Sequence, residues 1–520
     1  MTTFDDIKSA LFAGADTFRD TIDAANYKDY VLSMLFIKFL SDTFKEMVEE
    51  LAKRFQGVRL ERQKELLPFQ LKEECTFDYL LANKNAIDIG QKINQALVEI
   101  ERTNPILDGI FRGIDFNSQA AFGPKEQKNP MLRNLLDDFA DLDLRPKHIE
   151  TNNEQIPADV IGDAYEYMIG EFATMSGKKA GSFFTPQEVS EIMAQIVDPQ
   201  PNDRIYDPTC GSGSLLIRTA KKGGLEKVAI YGQEISNSAI SLARMNMFLH
   251  NITDAKIVQG DTLAYPRHLD RDGNLMKFDC IVANMPFSKD KWASGFNPGG
   301  ETSNKKNFVM EASLDRWHRF TWGIPPASKG DWAFLLHMIN SMGQNGRVAA
   351  VAPHGVLFRG ASEGRIRQEV VDKNLVDAVI GLPENIFYGT SIPACIIVFK
   401  KGRTKTDVLF IDASGKDNYK KNKAKNKLQS QGIEKIAKTY RAYVNGDKKK
   451  ANIEKYSRIA TLKEIKENEY NLNIPRYVDT FEEEEIIDIL AVNAEIADIK
   501  GKIVKVEREM GKYLKELGVE

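Results

Sequence analysis

A short stretch in the middle of the chain ends an apolar run with residues that can hold an aromatic amine. Residues 280–290 read CIVANMPFSKD, so the apolar run leads directly into Asn284, Met285, Pro286 and Phe287. An amide oxygen and a backbone carbonyl can together accept both hydrogens of an exocyclic amino group, while an aromatic ring stacks on the heterocycle. Proline fixes φ and has no N–H, which keeps the turn rigid and leaves acceptors facing a pocket. We therefore expect a base-reading site at this strand end.

A glycine-containing loop upstream is the first candidate for ligand binding. Residues 205–220 read IYDPTCGSGSLLIRTA, which predicts a strand, a loop with Gly211 and Gly213, and a helix that begins near Ser214. Glycines at this position let a ligand lie against the backbone, and the helix start presents free N–H groups. A dinucleotide fingerprint needs a third glycine where Leu216 stands, and a phosphate-binding Walker loop needs a Gly-Lys-Ser/Thr sequence. Both of these nucleotide motifs are therefore disfavoured.

Two acidic residues follow at the ends of the next two predicted strands. Glu234 in YGQEIS comes about 20 residues after the glycines, where a carboxylate can accept hydrogen bonds from both hydroxyls of a ribose. Asp261 in VQGDTL could accept a hydrogen bond from an exocyclic amine such as that of adenine. A single aspartate at a strand end more often caps a turn. Three such strand ends side by side favour the binding site.

The segment GSFFTPQEVSEIMAQI predicts a helix with a capping box. Thr185 would be the N-cap, Pro186 the first helical residue and Glu188 the reciprocal partner of the cap. One interpretation is a helix start and nothing more. The other is that the turn at Phe184 and Thr185 closes over a ligand and uses the helix start to bind a carboxylate.

The elements that must position these residues alternate between short apolar runs and longer periodic segments. From about residue 155 to 412, seven runs predict buried strands: RIYDP, VAIYGQE, AKIVQGD, DCIVANMPF, GRVAAVAPHG, LVDAVIGLP and ACIIVFKK. This pattern predicts an α/β fold with a doubly wound sheet. Upstream, residues 1–154 are expected to be mainly helical. There, DYVLSMLFIKFLSDTF has apolar residues at helical spacing, which is typical of a core stripe.

The last hundred residues differ in composition from the rest. Residues 416–450 are rich in lysine and asparagine, which predicts a solvated loop or, alternatively, a contact with the DNA backbone or a partner. At the C-terminus a heptad pattern with alternating spacings of three and four predicts a helix with one apolar seam that needs a partner. The seam consists of Ile489, Val492, Ile496, Ile499, Ile503, Val506, Met510, Tyr513 and Leu517.

Composition excludes several classes of protein. The net charge is −3, with 71 basic and 74 acidic residues, so strong nucleic-acid binding from overall charge is not expected. Four widely separated cysteines without a CxxC pair argue against a structural zinc site and a disulfide framework, and fit a reducing cytoplasm. We expect a soluble cytoplasmic protein, since the sequence predicts neither an export signal nor a membrane span.

The ordered motifs resemble those of a known family. FFTPQEVS, DPTCGSGSLL, GQEIS, GDTL and NMPF are similar to the cofactor motifs and the N/D-P-P-F/Y catalytic motif of S-adenosylmethionine-dependent DNA amino-methyltransferases. Within that family, the chain resembles the modification (M) subunits of type I restriction-modification systems. GDWAFLLHMI, VAPHGVLFRG and GLPENIFYGTSIPACIIVFKK are similar to further stretches of these subunits. The resemblance covers about residues 155–415. One position departs, because Met285 stands where the family most often has proline.

The resemblance implies a seven-stranded methyltransferase core and specific residue roles. Asn284 and the Met285 carbonyl would hold the N6 amine of an extruded adenine, and Phe287 would stack on the base. Glu234 would hold the cofactor ribose and Asp261 the cofactor adenine. The remaining implied cofactor-binding residues are Phe184, Thr185, Pro186, Asp207, Gly211, Ser212 and Gly213. Methylation of cytosine C5 is not expected, because it needs a Pro-Cys nucleophile on the catalytic loop, whereas Cys280 lies inside a strand.

The resemblance also implies a multisubunit enzyme. We expect a helical N-terminal domain (1–154), a catalytic domain (155–415), a basic loop-rich region (416–480) and a C-terminal docking helix (481–520). The implied partners are a specificity (S) subunit, a second M subunit, a restriction (R) subunit and double-stranded DNA. A protein glutamine-N5 methyltransferase remains an alternative, because it uses similar motifs. A non-catalytic assembly scaffold is the other.

Overall fold

The computed structural model describes most of the chain. The fold divides into one compact unit, Met1–Val478, and a second unit, Asp479–Glu520. The described residues are 1–19, 21–55, 66–152, 156–175, 184–297, 308–387, 392–421, 425–480 and 489–518.

The N-terminal third of the large unit is helical, as predicted. Helix α1 begins with a capping box in which Thr3 and Asp6 bond each other's backbone N–H. The apolar stripe of α2 is buried throughout, from Val31 to Leu40, and forms the centre of the helical core. The helices are α1 (Phe4–Phe18), α2 (Ala24–Arg54), α3 (Phe77–Ala82), α4 (Ile89–Thr103), α5 (Gln119–Phe122), α6 (Lys125–Asp138) and α7 (Pro157–Met175).

One sheet forms the centre of the next part of the chain. All seven predicted strands are present, and β8 and β11 extend the sheet at one edge to nine strands within the described ranges. The order is β11-β8-β6-β7-β5-β4-β1-β2-β3, and β7 runs antiparallel to both its neighbours. The strands are β1 (Arg204–Asp207), β2 (Ala229–Glu234), β3 (Lys256–Gln259), β4 (Phe278–Asn284), β5 (Met342–Pro353), β6 (Val376–Gly381), β7 (Ala394–Lys400), β8 (Val408–Asp412) and β11 (Ser457–Ala460).

Helices cover both faces of this sheet, as expected for a doubly wound fold. Alternate residues of β4 enter different cores: Ile281 and Ala283 join one apolar cluster, while Cys280 and Val282 join the other. The first cluster contains α11 and α12, and the second contains α8, α9, α10 and α13. The helices are α8 (Gln187–Val197), α9 (Ser214–Gly223), α10 (Asn237–Leu249), α11 (Asp331–Ser341), α12 (Ala361–Asp372), α13 (Ser430–Val444), α14 (Lys448–Ala451) and α15 (Leu462–Glu467).

The described part of residues 416–450 is not the solvated loop that its composition indicated. It contains an antiparallel pair of short strands, β9 (Tyr419–Lys420) and β10 (Lys427–Leu428), followed by α13 and α14. Helix α13 is stable here because Ile436, Tyr440 and Tyr443 lie on one face and are buried against the sheet core. The many lysines conceal this stripe in the sequence.

All four cysteines are buried thiols. Burial raises the pKa of Cys75 to about 11 and that of Cys280 to about 12, and it also raises the pKa values of Cys210 and Cys395. In the part of the chain that the structure describes, none of the helices combines the length and apolar character needed to cross a membrane.

The second unit contains the predicted C-terminal helix, α16 (Ile489–Glu516). The apolar seam residues from Val492 to Leu517 are all exposed, with Val492 at 41% and Val506 at 61%. Gly501 and Gly511 lie within the helix and lower its intrinsic stability.

Candidate functional site

Four parallel strands bring the predicted site residues to one edge of the sheet. Strand β1 pairs with β2 on one side and with β4 on the other, and β2 pairs with β3. After β3 the chain crosses back to the far side of β1, so the crevice beyond β1 and β4 is a topological switch point. Ligands bind at such crevices in open α/β sheets. Asp207, Glu234 and Asn284 end three of these strands.

Two adjacent hollows contain most of the predicted residues. The larger has a volume of about 230 Å³, and its lining includes Glu234, Asp261, Asn284 and Pro286. The smaller is lined by Phe184, Thr185, Asp207, Gly211, Ser212 and Asn284, among others. Asn284 lines both hollows. The residues predicted for cofactor binding and for catalysis therefore meet at this side chain.

Glu234 is held rigidly at the end of β2 by three backbone N–H groups. Its Oε1 accepts from Ile235 at 2.8 Å and from Ser236 at 2.9 Å, and its Oε2 accepts from Gly211 at 3.1 Å. Burial raises the pKa of Glu234, and the three N–H donors oppose that increase. A carboxylate has about four acceptor positions. Glu234 therefore retains capacity to accept a ligand hydroxyl.

Asp207 is a nearly fully buried carboxyl group beside Glu234. Burial, opposed by a hydrogen bond from Thr209 N–H and aided by the negative charge of Glu234, raises the pKa of Asp207 to about 8. A cationic ligand group at this position would favour the ionised form of Asp207, because an opposite charge lowers the pKa of a carboxyl group.

The loop that follows Asp207 in the chain adopts a backbone conformation that favours glycine. Gly211 and Gly213 have φ values of 52° and 78°, in the left-handed region. Gly213 is the N-cap of α9, and a Cβ there would come within 3.1 Å of the Met247 methyl carbon. Ser212 is fixed by a hydrogen bond from Asn246 Nδ2 to its carbonyl at 3.1 Å. The loop is thus shaped before any ligand binds.

Asp261 combines the two roles that the sequence left open. Its Oδ1 accepts hydrogen bonds from the N–H groups of Leu263 and Ala264, at 2.9 and 3.2 Å, so the residue caps the turn after β3. The same side chain also lines the larger hollow. Capping therefore fixes the carboxylate at the edge of the hollow.

The capping box predicted for Thr185 is wrong. Helix α8 begins at Gln187, Pro186 is its N-cap, and no side chain caps it. The Thr185 hydroxyl instead accepts a hydrogen bond from Asn284 Nδ2 at 3.2 Å. Glu188, the supposed reciprocal partner, forms an ion pair with Lys427. The hydroxyl is thus bonded to the end of β4, and both residues line the smaller hollow.

The other residues of the catalytic motif have different environments. The Met285 side chain is buried in the apolar core, whereas Pro286 is exposed at the rim. Phe287 is partly buried and meets the ring of Phe387 edge-on, with centroids 5.8 Å apart. Of the thirteen residues predicted for the site, Pro186, Gly213, Met285 and Phe287 line neither hollow.

Sequence reasoning missed several residues of the larger hollow. Lys289, Trp292 and Phe334 line it together with the predicted side chains. Lys289 and Trp292 directly follow the catalytic motif, so its continuation could have suggested them. Phe334 lies in the stretch GDWAFLLHMI, which resembled the family without an assigned role.

Comparisons with known proteins find similarity to one family along nearly the whole chain. Residues 157–486 match the family described as N-6 DNA Methylase, and residues 7–139 match the HsdM N-terminal domain. A type I restriction enzyme MpnII methylase subunit from Mycoplasma pneumoniae is 34% identical over 95% of this chain and 93% of its own length. The MjaVIII methylase subunit from Methanocaldococcus jannaschii is 29% identical over 99% of this chain and 85% of its own.

Solved structures give the same result. The type I restriction-modification system methyltransferase subunit from Streptococcus thermophilus has a TM-score of 0.77 and 35% sequence identity. That similarity covers 92% of this chain and 100% of the other. A modification subunit of a type I restriction enzyme from Vibrio vulnificus, at 17% identity and a TM-score of 0.64, supports the fold alone.

Proposed function

Since this chain belongs to the N-6 DNA methylase family, as a methylase subunit of type I restriction-modification systems, we propose that it methylates adenine N6 in DNA. The methyl donor is S-adenosylmethionine, and a separate specificity subunit reads the target sequence. The observation that carries this proposal is the position of Asn284, at the end of β4 and at the boundary of the two hollows.

Asn284 and Met285 supply the acceptors for the target amine. The bond from Asn284 Nδ2 to Thr185 engages the donor end of the amide, which leaves Oδ1 to accept a hydrogen bond from N6. The Met285 backbone carbonyl accepts the second N–H, and its buried side chain anchors that carbonyl. Two acceptors draw the N6 lone pair out of conjugation with the ring, toward the methyl donor. Methionine in place of the usual proline keeps this carbonyl, so we expect activity.

The chain contains groups that fit S-adenosylmethionine. Glu234 would accept hydrogen bonds from the two ribose hydroxyls, and Asp261 one from the adenine amine. Asp207 would face the ammonium of the methionine part, whose charge offsets the cost of ionising a buried carboxyl group. The loop of Gly211, Ser212 and Gly213 allows close approach of the ligand, beside Phe184, Thr185 and Pro186. When bound, the cofactor supplies an electrophilic methyl group on a sulfonium ion.

In this proposal Phe287 would stack on the extruded base. Its ring is held edge-on by Phe387, an arrangement that aromatic pairs prefer and that limits rotation of the Phe287 side chain. Cys280 is unsuited to be a nucleophile for cytosine methylation, because burial raises its thiol pKa to about 12. The reacting group is therefore an amine that the protein positions, without a covalent enzyme intermediate.

The C-terminal helix supports docking to other subunits. An exposed apolar seam of this length is unusual for a soluble protein unless a partner covers it. We propose that α16 docks on the specificity subunit, in a complex that includes a second M subunit, a restriction subunit and double-stranded DNA. The boundaries 1–154, 155–415, 416–480 and 481–520 are our proposed division into functional regions.

A methyl-transfer assay tests this proposal. The full chain is incubated with S-adenosylmethionine that carries a tritiated methyl group and with either genomic DNA or a protein extract, with and without a co-expressed specificity subunit. We expect label in DNA, recovered as N6-methyladenine after digestion to nucleosides, and dependent on the specificity subunit. Label in protein glutamine, or no transfer to either substrate by the assembled complex, would refute adenine methylation.

A further inference from the structure

The residues that follow the catalytic motif are hydrogen-bonded to the segment that leads into α11. Gly330 N–H donates to the Lys289 carbonyl at 3.0 Å, and Lys291 N–H donates to the Ala327 carbonyl at 2.9 Å. The Trp292 indole N–H donates to the Pro326 carbonyl at 3.0 Å. The link nearest to Asn284 and Phe287 comes from a side chain, that of Asp331.

Asp331 binds the backbone of Ser288 with a charged group. Its Oδ1 accepts the Ser288 N–H at 2.6 Å, and its carboxylate is fully buried. Ser288 has a φ of 49°, a left-handed conformation that is unfavourable for a residue with a Cβ. A short charge-assisted hydrogen bond in a buried environment can hold such a residue in place. The turn that directs Asn284 to Phe287 therefore depends on a contact outside the motif.

Arg359 orients the Asp331 carboxylate through an ion pair. Its guanidinium donates to Asp331 Oδ2 at 2.9 Å and to Glu363 Oε1 at 3.3 Å. The Arg359 side chain lies directly over Gly355, where a Cβ would come within 2.3 Å of its guanidinium. The two stretches GDWAF and HGVLFRG, which resembled the family without a role, thus meet at this pair.

We propose that Asp331, oriented by Arg359, is a positioning residue for methyl transfer, which fixes the turn at Ser288 so that the motif keeps its reactive geometry. This inference rests on the proposed adenine methylation. Asp331 touches neither the glycine loop nor Glu234 through any contact described above, so its effect should fall on the chemical step rather than on cofactor binding.

Glu363 provides a matched control. It is buried beside the same Arg359 and carries the same charge, but its contact does not involve Ser288. The variants Asp331→Asn, Asp331→Ala and Glu363→Gln are prepared as the full chain with a co-expressed specificity subunit. Asparagine keeps the size of the side chain and an oxygen for the Ser288 N–H, but it turns an amide nitrogen toward Arg359, so this variant removes the charge and the contact with the guanidinium.

The single-turnover rate of methyl transfer, the affinity for S-adenosylmethionine and the thermal unfolding temperature are measured for each variant. We expect Asp331→Ala to lower the rate by about 100-fold, the scale of an ångström-sized misplacement of reacting groups. Asp331→Asn should fall between that variant and wild type, and Glu363→Gln should stay close to wild type. Cofactor affinity should be unchanged within error for Asp331→Asn, and its unfolding temperature shows that the variant remains folded.

Two results would overturn the inference: normal rates in both Asp331 variants, or equal losses in Asp331→Asn and Glu363→Gln. A parallel loss of rate, cofactor affinity and unfolding temperature in Asp331→Asn would likewise replace positioning with a general structural role. If the wild-type complex fails to methylate adenine, the proposed function fails and this inference fails with it. If wild type is active and Asp331→Ala equally so, only the positioning role is refuted.

Discussion

Replacing Glu234 tests the cofactor site most directly. Glu234→Ala removes the proposed ribose contacts and also leaves the Gly211, Ile235 and Ser236 N–H groups without their acceptor. Hydrogen bonds to a charged group contribute about 1.5–3 kcal/mol. The dissociation constant for S-adenosylmethionine should therefore increase roughly 10- to 150-fold.

The three N–H donors make glutamine a poor substitute for Glu234. One carboxylate oxygen faces Gly211 N–H and the other faces Ile235 and Ser236 N–H, so the amide nitrogen of Glu234→Gln must face a donor in either orientation. We expect Glu234→Gln to weaken binding nearly as much as Glu234→Ala. Because burial raises the pKa of Glu234, cofactor affinity in the wild type should also decline on acidification at a higher pH than for an exposed glutamate.

Calorimetric titration with the cofactor measures these changes, and thermal unfolding shows whether the variants remain folded. Glu226→Gln is the control, because Glu226 is exposed just before the opposite end of the same strand, β2. Wild-type affinity in Glu234→Ala, or a full loss of binding in Glu226→Gln, would refute the reasoning.

Three further predictions concern catalysis, pH dependence and assembly. Asn284→Ala should abolish methyl transfer with near-normal cofactor affinity by calorimetry, and substantial residual turnover would remove Asn284 from the mechanism. Because the pKa of Asp207 is raised to about 8, the folded chain binds an extra proton from about pH 4 to 8, so this group lowers the free energy of unfolding as pH rises. Asp207→Asn removes this proton uptake, so the free energy of unfolding of the variant, measured by denaturant titration, should rise relative to that of wild type as pH increases. Parallel pH profiles of the two proteins would contradict this. Truncation after residue 480 should preserve cofactor binding but prevent co-purification with the specificity subunit, whereas intact assembly would show that the seam serves another purpose.

The strand framework and the positions of most predicted site residues could be obtained from sequence. Apolar runs marked the strands, and polar residues at their carboxyl ends share an edge because parallel strands place these ends together. Strand ends predicted Glu234, Asp261 and Asn284, and the family resemblance added Asp207; all four line the two adjacent hollows.

What sequence reasoning missed depends on contacts between distant residues. The Thr185 hydroxyl bonds Asn284, 99 residues away, although its local sequence favoured a capping box. Asp331 bonds Ser288 across 43 residues, and its place at the start of a helix suggested nothing about catalysis. In α13, burial of Tyr440 against the sheet core outweighs the lysine-rich composition of the surrounding stretch. The local sequence pattern does not reveal which distant residues a side chain contacts in the folded protein.

The buried thiols make the chain suitable for site-specific labelling. Maleimide reagents react with thiolates, and the raised pKa values of Cys75 and Cys280 keep these thiols protonated near neutral pH, while burial keeps all four cysteines away from the reagent. A single cysteine introduced at an exposed position of α16, such as Glu507, would then carry the only reactive thiol of the folded protein. A fluorophore attached there could report the arrival of a partner on the helix in real time, without replacement of the native cysteines.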